Sequence, residues 1–219
     1  TKHDLLNPSE FLAGVAQFGG DPVAQNFGQE TDWQDYVTRT SVSNTQNLSY
    51  SKGFETGFIR ASFGYDNQVG VIENSEMTRI SGRLNGSKSF FDKKLTLDLS
   101  STFSNVNRED PAISGSAGFQ GDLLGAAYSA NPTWGTDPDF ATGGQRSPAN
   151  MLAYYQSTGS TNRFLNTVTA TYKLTQALSV KGVYGLDWSK GEAVTLASGK
   201  TINGGNGVTG FGQGQISEN

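Results

Sequence analysis

The sequence predicts an all-β fold, an antiparallel transmembrane β-barrel segment made of about six strands of a larger barrel. Three observations predict it. Apolar and polar residues alternate over much of residues 45–190, short and long links between these stretches take turns, and 28 of the 219 residues are glycine. Outer-membrane barrels have short turns at one end and long loops at the other. Stretches of ten residues or slightly more match the ~9–11 that cross a bilayer obliquely.

Residues 1–44 predict a helical and loop-like lead-in to the barrel. Asn7-Pro8-Ser9-Glu10 offers a capping Asn, a Pro at the first helical position and a Glu three residues after the cap. Thr31-Asp32-Trp33-Gln34 repeats the capping pattern ahead of a short turn through Val37. We expect two surface helices that pack a few aromatic side chains.

Period two over residues 45–190 predicts antiparallel strands, each paired with its neighbour in sequence. Their expected ranges are 45–51, 56–66, 77–90, 94–106, 163–174 and 177–190. One face of each strand is apolar, with aromatic residues near its ends and aliphatic ones between them, as lipid–water interfaces favour. Leu97 is expected to face lipid near the bilayer midplane, with Arg83 and Asp98 on the opposite, lumenal face.

The connections at one end are long. Residues 107–161 are expected to form an external loop with a short helix from Ser147-Pro148-Ala149-Asn150. Trp134 and Tyr128 in this loop either pack the loop on itself or stack on a ligand. Residues 191–219 are expected to form a Gly-rich external loop in which the chain is incomplete, because the sequence does not begin with Met and stops within that loop.

Composition and motifs exclude most chemistry. The chain has no cysteine, which excludes disulfides, thiolate nucleophiles and cysteine-based zinc sites, and its net charge of −4 argues against a nucleic-acid partner. Gly205–Gly210 matches G-x-G-x-x-G without the flanking strand and helix that a dinucleotide site requires. His3 is the single histidine and is expected at the surface. Asp137 and Asp139, with the acidic residues 109–110, fit turns better than a calcium site.

We therefore expect no enzyme, no catalytic residue, no cofactor and no metal. The candidate substrate-binding residues are basic side chains on the predicted lumenal face, namely Arg60, Arg79 and Arg83. Their neighbours include Asp66, Asp98 and Asp187, so ion pairs between adjacent strands are an alternative role.

With these residues in place, the chain resembles the SusC/RagA-like TonB-dependent outer-membrane transporters of the Bacteroidota. The resemblance covers about residues 1–190. It rests on landmarks that follow one another in the order and spacing of the family: Thr31-Asp32-Trp33-Gln34-Asp35, Asn47-Leu48-Ser49, Phe63-Gly64-Tyr65, Gly70-Val71-Ile72, Arg79, Arg83-Leu84-Asn85, Asn131-Pro132, Ser147-Pro148-Ala149-Asn150, Thr161-Asn162-Arg163 and Gly185-Leu186-Asp187.

The resemblance implies a barrel of about 22 strands with an N-terminal plug, in the outer membrane of a Gram-negative bacterium. Such a protein imports glycans or peptides with energy from TonB. The implied partners are a SusD-like surface lipoprotein, membrane lipid, and TonB acting through an N-terminal part that this chain lacks. Two alternatives stay open. The chain could be a soluble, surface-exposed carbohydrate-binding or adhesin β-module, or a client held by outer-membrane assembly or secretion machinery.

Overall fold

The computed structural model describes residues 2–113, 122–142, 145–200 and 211–218. They form one large antiparallel sheet with four short helices at one of its ends. The helices are α1 (Pro8–Gln17), α2 (Trp33–Val37), α3 (Leu123–Ser129) and α4 (Pro148–Tyr154). The strands are β1 (Asn44–Phe54), β2 (Gly57–Val69), β3 (Glu76–Phe90), β4 (Leu95–Glu109), β5 (Ala141–Thr142), β6 (Gln145–Arg146), β7 (Tyr155–Lys173), β8 (Ser179–Ala197) and β9 (Phe211–Glu218). None of the helices in the described ranges is long and apolar enough to cross a membrane.

Seven strands make up the sheet in the order β1-β2-β3-β4-β7-β8-β9, while β5 and β6 form a separate hairpin. Every neighbouring pair in the sheet is antiparallel. Each strand therefore pairs with the next one along the chain, as in up-and-down barrels. The predicted fold class is confirmed, and so are the six predicted strands and their pairing, but the sheet has seven strands.

The sheet extends further toward its long loops than the sequence indicates. β7 begins at Tyr155 instead of residue 163, so the connection that precedes it covers 110–154. Period two failed to mark this extension because Ser157–Ser160 is polar and glycine-containing on both faces. Pairing of its backbone with β8 forms the extension instead.

The expectation that residues 191–219 form a loop is also partly wrong. β8 continues to Ala197, and β9 pairs with it from Lys190 to Ala197. β9 contains Gly212 and Gly214, which supply no apolar side chain to an alternating pattern, so its sequence has no strand signal. The Gly205–Gly210 motif lies outside the described residues.

The two ends of the sheet differ in their connections. Short turns join the strands at the short-turn end, at Glu55–Thr56, Phe91–Lys94 and 174–178. The opposite, long-loop end carries the connections 70–75, 110–154 and 198–210 together with residues 2–43. The predicted alternation of short and long connections is confirmed.

The helices of the lead-in begin where the capping residues predict. Asn7 and Glu10 form a reciprocal capping box, in which each side chain accepts from the other residue's backbone N–H at 3.0 Å. Asp32 caps α2 by accepting from the Asp35 N–H at 3.1 Å. The helix that the sequence did not predict, α3, is capped by Asp122, whose carboxylate accepts from two backbone N–H groups.

Candidate substrate-facing surface of the sheet

Aromatic residues line up across the apolar face of the sheet. One row crosses six strands near the long-loop end and consists of Leu48, Phe63, Gly82, Phe103, Phe164 and Trp188. A second row near the short-turn end consists of Phe90, Leu95, Tyr172 and Val180. The aliphatic residues Leu97, Leu99 and Val168 lie between the two rows, together with Tyr184, which is opposite Val168.

The spacing of the two rows matches a lipid bilayer. Leu95 and Phe103 are eight residues apart on β4, or roughly 26 Å at ~3.3 Å per residue. A strand tilt of about 40° reduces this to roughly 20 Å, close to the ~25 Å apolar band of outer-membrane barrels. Leu99 lies halfway between the two rows, whereas Leu97 is one residue pair from the second row, near the short-turn end. The expectation that Leu97 lies near the bilayer midplane stays a prediction, and the register makes Leu99 a second candidate for that depth.

The opposite face of the sheet is polar and hydrogen-bonded between strands. The Arg163 guanidinium binds the Asp187 carboxylate through two contacts of 3.0 and 2.6 Å. The Ser100 hydroxyl donates to the Asn85 amide oxygen at 2.9 Å. Thr45 donates to Asp66 at 2.7 Å. These contacts link neighbouring strands across the polar face.

The three candidate residues Arg60, Arg79 and Arg83 all lie on this polar face and are exposed. Arg60 pairs with Asn85 and Arg83 pairs with Ser62, so the two arginines are diagonal neighbours on β2 and β3, about 7–8 Å apart. Arg79 lies opposite Asp66. Within the described residues, none of the three guanidinium groups is close enough to a carboxylate to form an ion pair.

The guanidinium groups of the three arginines are therefore exposed on the polar face, where their N–H donors are accessible. Guanidinium groups can bind carboxylates with two parallel hydrogen bonds, and they also donate to hydroxyl and carbonyl oxygens. The ion pair between strands that the sequence suggested for these arginines is instead made by Arg163 and Asp187. Arg163 belongs to one of the quoted landmarks, but its pairing with Asp187 was not predicted.

The long-loop end contains a small buried core that we call the loop-end cluster. Its members come from α2, α3, α4 and the connection 110–154: Trp33, Val37, Ala112, Leu123, Ala126, Ala127, Trp134, Ala149 and Met151. Trp134 is buried in it and packs edge-on against Phe27, with ring centroids 6.4 Å apart. Of the two roles left open for Trp134, packing within the loop is the one that the structure shows.

Landmark residues that are about a hundred positions apart meet in the loop-end cluster. The Trp33 indole donates to the Asn131 carbonyl oxygen at 3.0 Å. The Asn131 amide donates to the Gln25 carbonyl oxygen at 2.8 Å. Asn150 is fully buried and donates to the carbonyl oxygens of Pro138 and Lys200 at 2.7 and 2.8 Å. The Asn side chains thus replace the regular backbone pairing that these loops lack.

The lead-in joins the β2–β3 connection through its backbone. Thr38 forms an isolated antiparallel bridge with Ile72, and the Arg39 N–H donates to the Val71 carbonyl oxygen at 2.8 Å. The Glu73 N–H donates to the Val37 carbonyl oxygen at 3.0 Å. The residues that follow α2 therefore pair with the landmark Gly70-Val71-Ile72 through an isolated bridge and backbone hydrogen bonds.

A cleft of about 780 Å³ opens between residues 2–8, α2 and α3. His3 lies at its edge, exposed as predicted, with its ring 5.4 Å from that of Tyr128. Asp137 accepts from the Asp139 N–H at 2.9 Å, which is the turn geometry that the sequence favoured over a calcium site. Among the described residues, no group of three or more His, Cys, Asp or Glu side chains could hold a metal ion.

The sheet thus has the features that define part of a transmembrane β-barrel of the outer-membrane type. It has an aliphatic band between two aromatic rows on one face, a polar opposite face, and short turns at one end only. A scan against protein-family models found no match for the chain. Comparisons with individual proteins are more specific.

The sequence is 31% identical over 170 residues to a protein of Bacteroides thetaiotaomicron named TonB-dependent receptor SusC, a match that covers 75% of this chain and 15% of SusC. The fold is similar to that of the RagAB peptide importer in the closed-closed state, with a TM-score of 0.70, 15% identity, and coverage of 88% of this chain and 22% of that one. A second structure of the RagAB peptide transporter gives a TM-score of 0.65 at 16% identity, covering 79% and 20%.

The chain is therefore SusC/RagA-like, as its landmark residues predicted. It spans only about 15% of the SusC sequence and about a fifth of the RagAB chains that it matches. These relatives are named a receptor, an importer and a transporter, and the predicted absence of enzymatic function agrees with those names.

Proposed function

We propose that this chain forms part of the barrel of a TonB-dependent outer-membrane importer of oligomeric nutrients, either glycans or peptides. The observation that carries the proposal is the two-faced sheet, which needs lipid on its apolar side and water on its polar side. The relatives support this function, since one is named a TonB-dependent receptor and another a peptide importer.

The proposed location is the outer membrane of a Gram-negative, Bacteroidota-type bacterium. Within the described residues, β1, β9 and the first half of β8 each have one side without a neighbouring strand. A bilayer offers no hydrogen-bond partners to such an edge, so further strands must close it. A barrel of about 22 strands, the size of the plugged outer-membrane transporters, would do so.

We place the long-loop end at the cell surface and the short-turn end in the periplasm, because outer-membrane barrels have their longer loops outside. In this orientation, the described residues of 2–43 and of the connection 110–154, which together form the loop-end cluster, lie outside the membrane. A SusD-like surface lipoprotein is the proposed partner at this end. The proposal assigns TonB to a different part of the protein, on the periplasmic side.

The diagonal arginines are the proposed contacts for the nutrient inside the barrel. Arg60 and Arg83 face the polar side without an ion-pair partner among the described residues, so their donors are free to bind passing carboxylates, carbonyls or hydroxyls. Replacing both by Gln in the full-length protein should reduce uptake of the nutrient several-fold. The exposed Lys181→Gln, on the same face of β8, is the matched control and should change uptake little.

The TonB requirement is tested on the full-length gene product. Deleting its TonB box should abolish uptake of the nutrient while leaving the amount of folded barrel unchanged, as judged by its heat-dependent mobility on gels. Uptake that persists after the deletion would contradict TonB-dependent transport. A protein that stays monodisperse without detergent would instead favour the soluble adhesin or carbohydrate-binding module.

A further inference from the structure

Two strands that run toward the short turns end in the same short motif. β1 ends with Lys52-Gly53-Phe54 and β3 ends with Lys88-Ser89-Phe90, each directly before its turn. In both motifs the lysine ammonium lies 5.5 Å from the centroid of the phenylalanine ring. This distance is within the range of a cation–π interaction. Both motifs stand directly before a turn, and the register offsets them by one residue pair, so Lys88 shares a row with Phe54.

Both motifs lie on the apolar face of the sheet. In the register, Lys52 lies opposite Ile59, and Lys88 lies opposite Leu97. An ammonium among apolar side chains is unfavourable unless its long side chain carries the charge to the lipid–water interface. Both lysines stand three residues before their turns begin, so this interface is within reach. The motifs therefore point their charges at lipid headgroups.

No carboxylate of the described part of the chain neutralises these lysines. Neither ammonium lies within ion-pairing distance, 4.0 Å, of an acidic side chain. The charges at the neighbouring turns are mostly basic as well: Lys93, Lys94 and Lys173, against Glu55 and Asp92. The short-turn end thus presents an excess of positive charge, which an anionic membrane surface attracts.

A shallow groove separates the two motifs. In one row of the register, Gly57 of β2 lies between Phe54 and Lys88. In the adjacent row, Ile59 of β2 lies between Lys52 and Gly86 of β3. The two glycines form the floor of the groove. A side chain at Gly57 would collide with the Ser87 carbonyl oxygen, so this position accepts only glycine. β1 and β3 are two strand spacings apart, about 10 Å. The groove is therefore bounded by a lysine and a phenylalanine on each side and has little relief between them.

We propose that this surface, formed by Lys52, Phe54, Gly57, Gly86, Lys88 and Phe90, binds an anionic phospholipid of the leaflet that meets the short turns. The ammonium groups bind the headgroup phosphate, the rings lie beside the glycerol region, and an acyl chain lies over the two glycines. The proposal rests on the membrane placement given above, and it adds a preference for one class of lipid.

The test is lipid binding to the purified full-length protein, measured by native mass spectrometry in detergent. Phosphatidylglycerol is titrated as the anionic probe and phosphatidylethanolamine as the zwitterionic one. Lys52→Gln and Lys88→Gln should each weaken phosphatidylglycerol binding about fivefold, and together about 30-fold, since one basic residue near an anionic surface contributes a factor of about five. Binding of phosphatidylethanolamine should change little.

Two control variants separate charge from folding and from overall basicity. Lys181→Gln removes a lysine from the polar face of β8 and should leave phosphatidylglycerol binding unchanged. The double arginine variant Lys52→Arg/Lys88→Arg keeps both charges and should retain binding, even if the glutamine variants fold poorly. Millimolar inorganic phosphate should not displace the lipid, because phosphate has no acyl chain.

The same phosphatidylglycerol affinity in the double glutamine variant and the unaltered protein would overturn the proposal, as would an equal loss in Lys181→Gln. Both results are independent of transport. A protein without its TonB box should bind phosphatidylglycerol normally, so a failure of the transport proposal and a failure of the lipid proposal are told apart by separate measurements.

Discussion

The seven-stranded sheet and the loop-end cluster differ in where their large apolar side chains lie. On the sheet, Val168 is 39% exposed and Tyr184 is 67% exposed. In the cluster, Trp33 and Leu123 are 2% and 1% exposed. Of the described side chains in the large sheet, only Ala197 is buried. Both regions are rich in apolar residues, so the difference lies in what covers them.

The comparison shows that the apolar side chains of the two regions suit different surroundings, protein in the cluster and lipid on the sheet. The cluster covers its apolar groups with protein, as a water-soluble domain does. The sheet leaves them on one face at a spacing that matches a bilayer, where lipid covers them instead. Substitutions in the cluster should therefore act through packing and hydrogen bonds, whereas substitutions on the sheet should act through the depth and direction of the side chain.

The largest expected effect is in the cluster. Trp33→Ala should destabilise the cluster by about 3–5 kcal/mol, because it opens a cavity and leaves the Asn131 carbonyl oxygen without the indole donor at 3.0 Å. Hydrogen exchange of the α3 amides in the full-length protein would report the loss. Heat-dependent gel mobility should show that the barrel itself still folds.

An exposed aromatic residue provides the matched control for that substitution. Phe18 is 88% exposed at the end of α1, so Phe18→Ala should change the same exchange rates by less than about 0.5 kcal/mol. Equal protection of α3 in Trp33→Ala and in the unaltered protein would show that the cluster is not one cooperative unit.

The next effect is on the sheet and depends on which face is altered. Leu99→Arg should destabilise the full-length barrel by about 2–4 kcal/mol, because it places a charge on the lipid face halfway between the two aromatic rows. Ser100→Arg, one residue along but on the polar face, should cost far less. Refolding titrations into lipid bilayers measure both free energies.

Depth provides a second control on the lipid face. Leu97 lies one residue pair nearer the row at the short-turn end, opposite Lys88. Leu97→Arg should therefore destabilise the barrel less than Leu99→Arg, because its charge reaches the lipid–water interface more easily. Equal costs at Leu99 and Ser100 would contradict the assignment of the two faces to lipid and water.

The sheet was predictable from sequence to the extent that it touches lipid. Alternation marks strands wherever one face is apolar and the other polar, which is true of Leu95–Phe103 on β4. It fails in β9 and in the first residues of β7, where both faces are polar or glycine-rich. The antiparallel pairing of β1 with β2, of β3 with β4 and of β7 with β8 followed from the short turns, since neighbours joined by a few residues pair antiparallel.

The loop-end cluster and the polar face were less predictable. α3 has the sequence Leu-Leu-Gly-Ala-Ala-Tyr-Ser, and this segment is too short, and its side chains mostly too small, to show helical periodicity. Trp33 was expected on a surface helix, yet it is buried by residues about a hundred positions away, and single-sequence patterns contain no such long-range contact. The pairing of Arg163 with Asp187 depends on register, whereas Arg60, Arg79 and Arg83 were placed correctly on the polar face by parity alone. Their role in substrate binding stays a prediction.

The smallest expected effect concerns the contact between the lead-in and the cluster, which should respond to pH. The Lys2 ammonium binds both Asp32 and Asp35 beside α2. Hydrogen bonding to these two carboxylates raises the pKa of Lys2 above its ordinary 10.5. Partial burial of Asp32 acts to raise its pKa, but the bonds from Lys2 and the Asp35 N–H prevail and hold that pKa below 3.8.

These shifts define the pH window in which the contact stabilises the fold. The contribution of Lys2 is complete below pH 10.5 and is lost as the pH rises through its raised pKa, while that of Asp32 is complete above pH 3.8 and is lost as the pH falls through its lowered pKa. Hydrogen exchange of the His3 amide, which donates to the Gln34 side chain, should therefore show protection across the neutral range that declines at both extremes, once it is corrected for the intrinsic pH dependence of exchange. In Lys2→Gln, this protection should be weak at every pH, with no alkaline decline left to observe. If that variant kept the full pH profile, the two hydrogen bonds between the His3 backbone and the Gln34 side-chain amide, at 2.8 and 2.7 Å, would be sufficient to hold the segment without the ion pair.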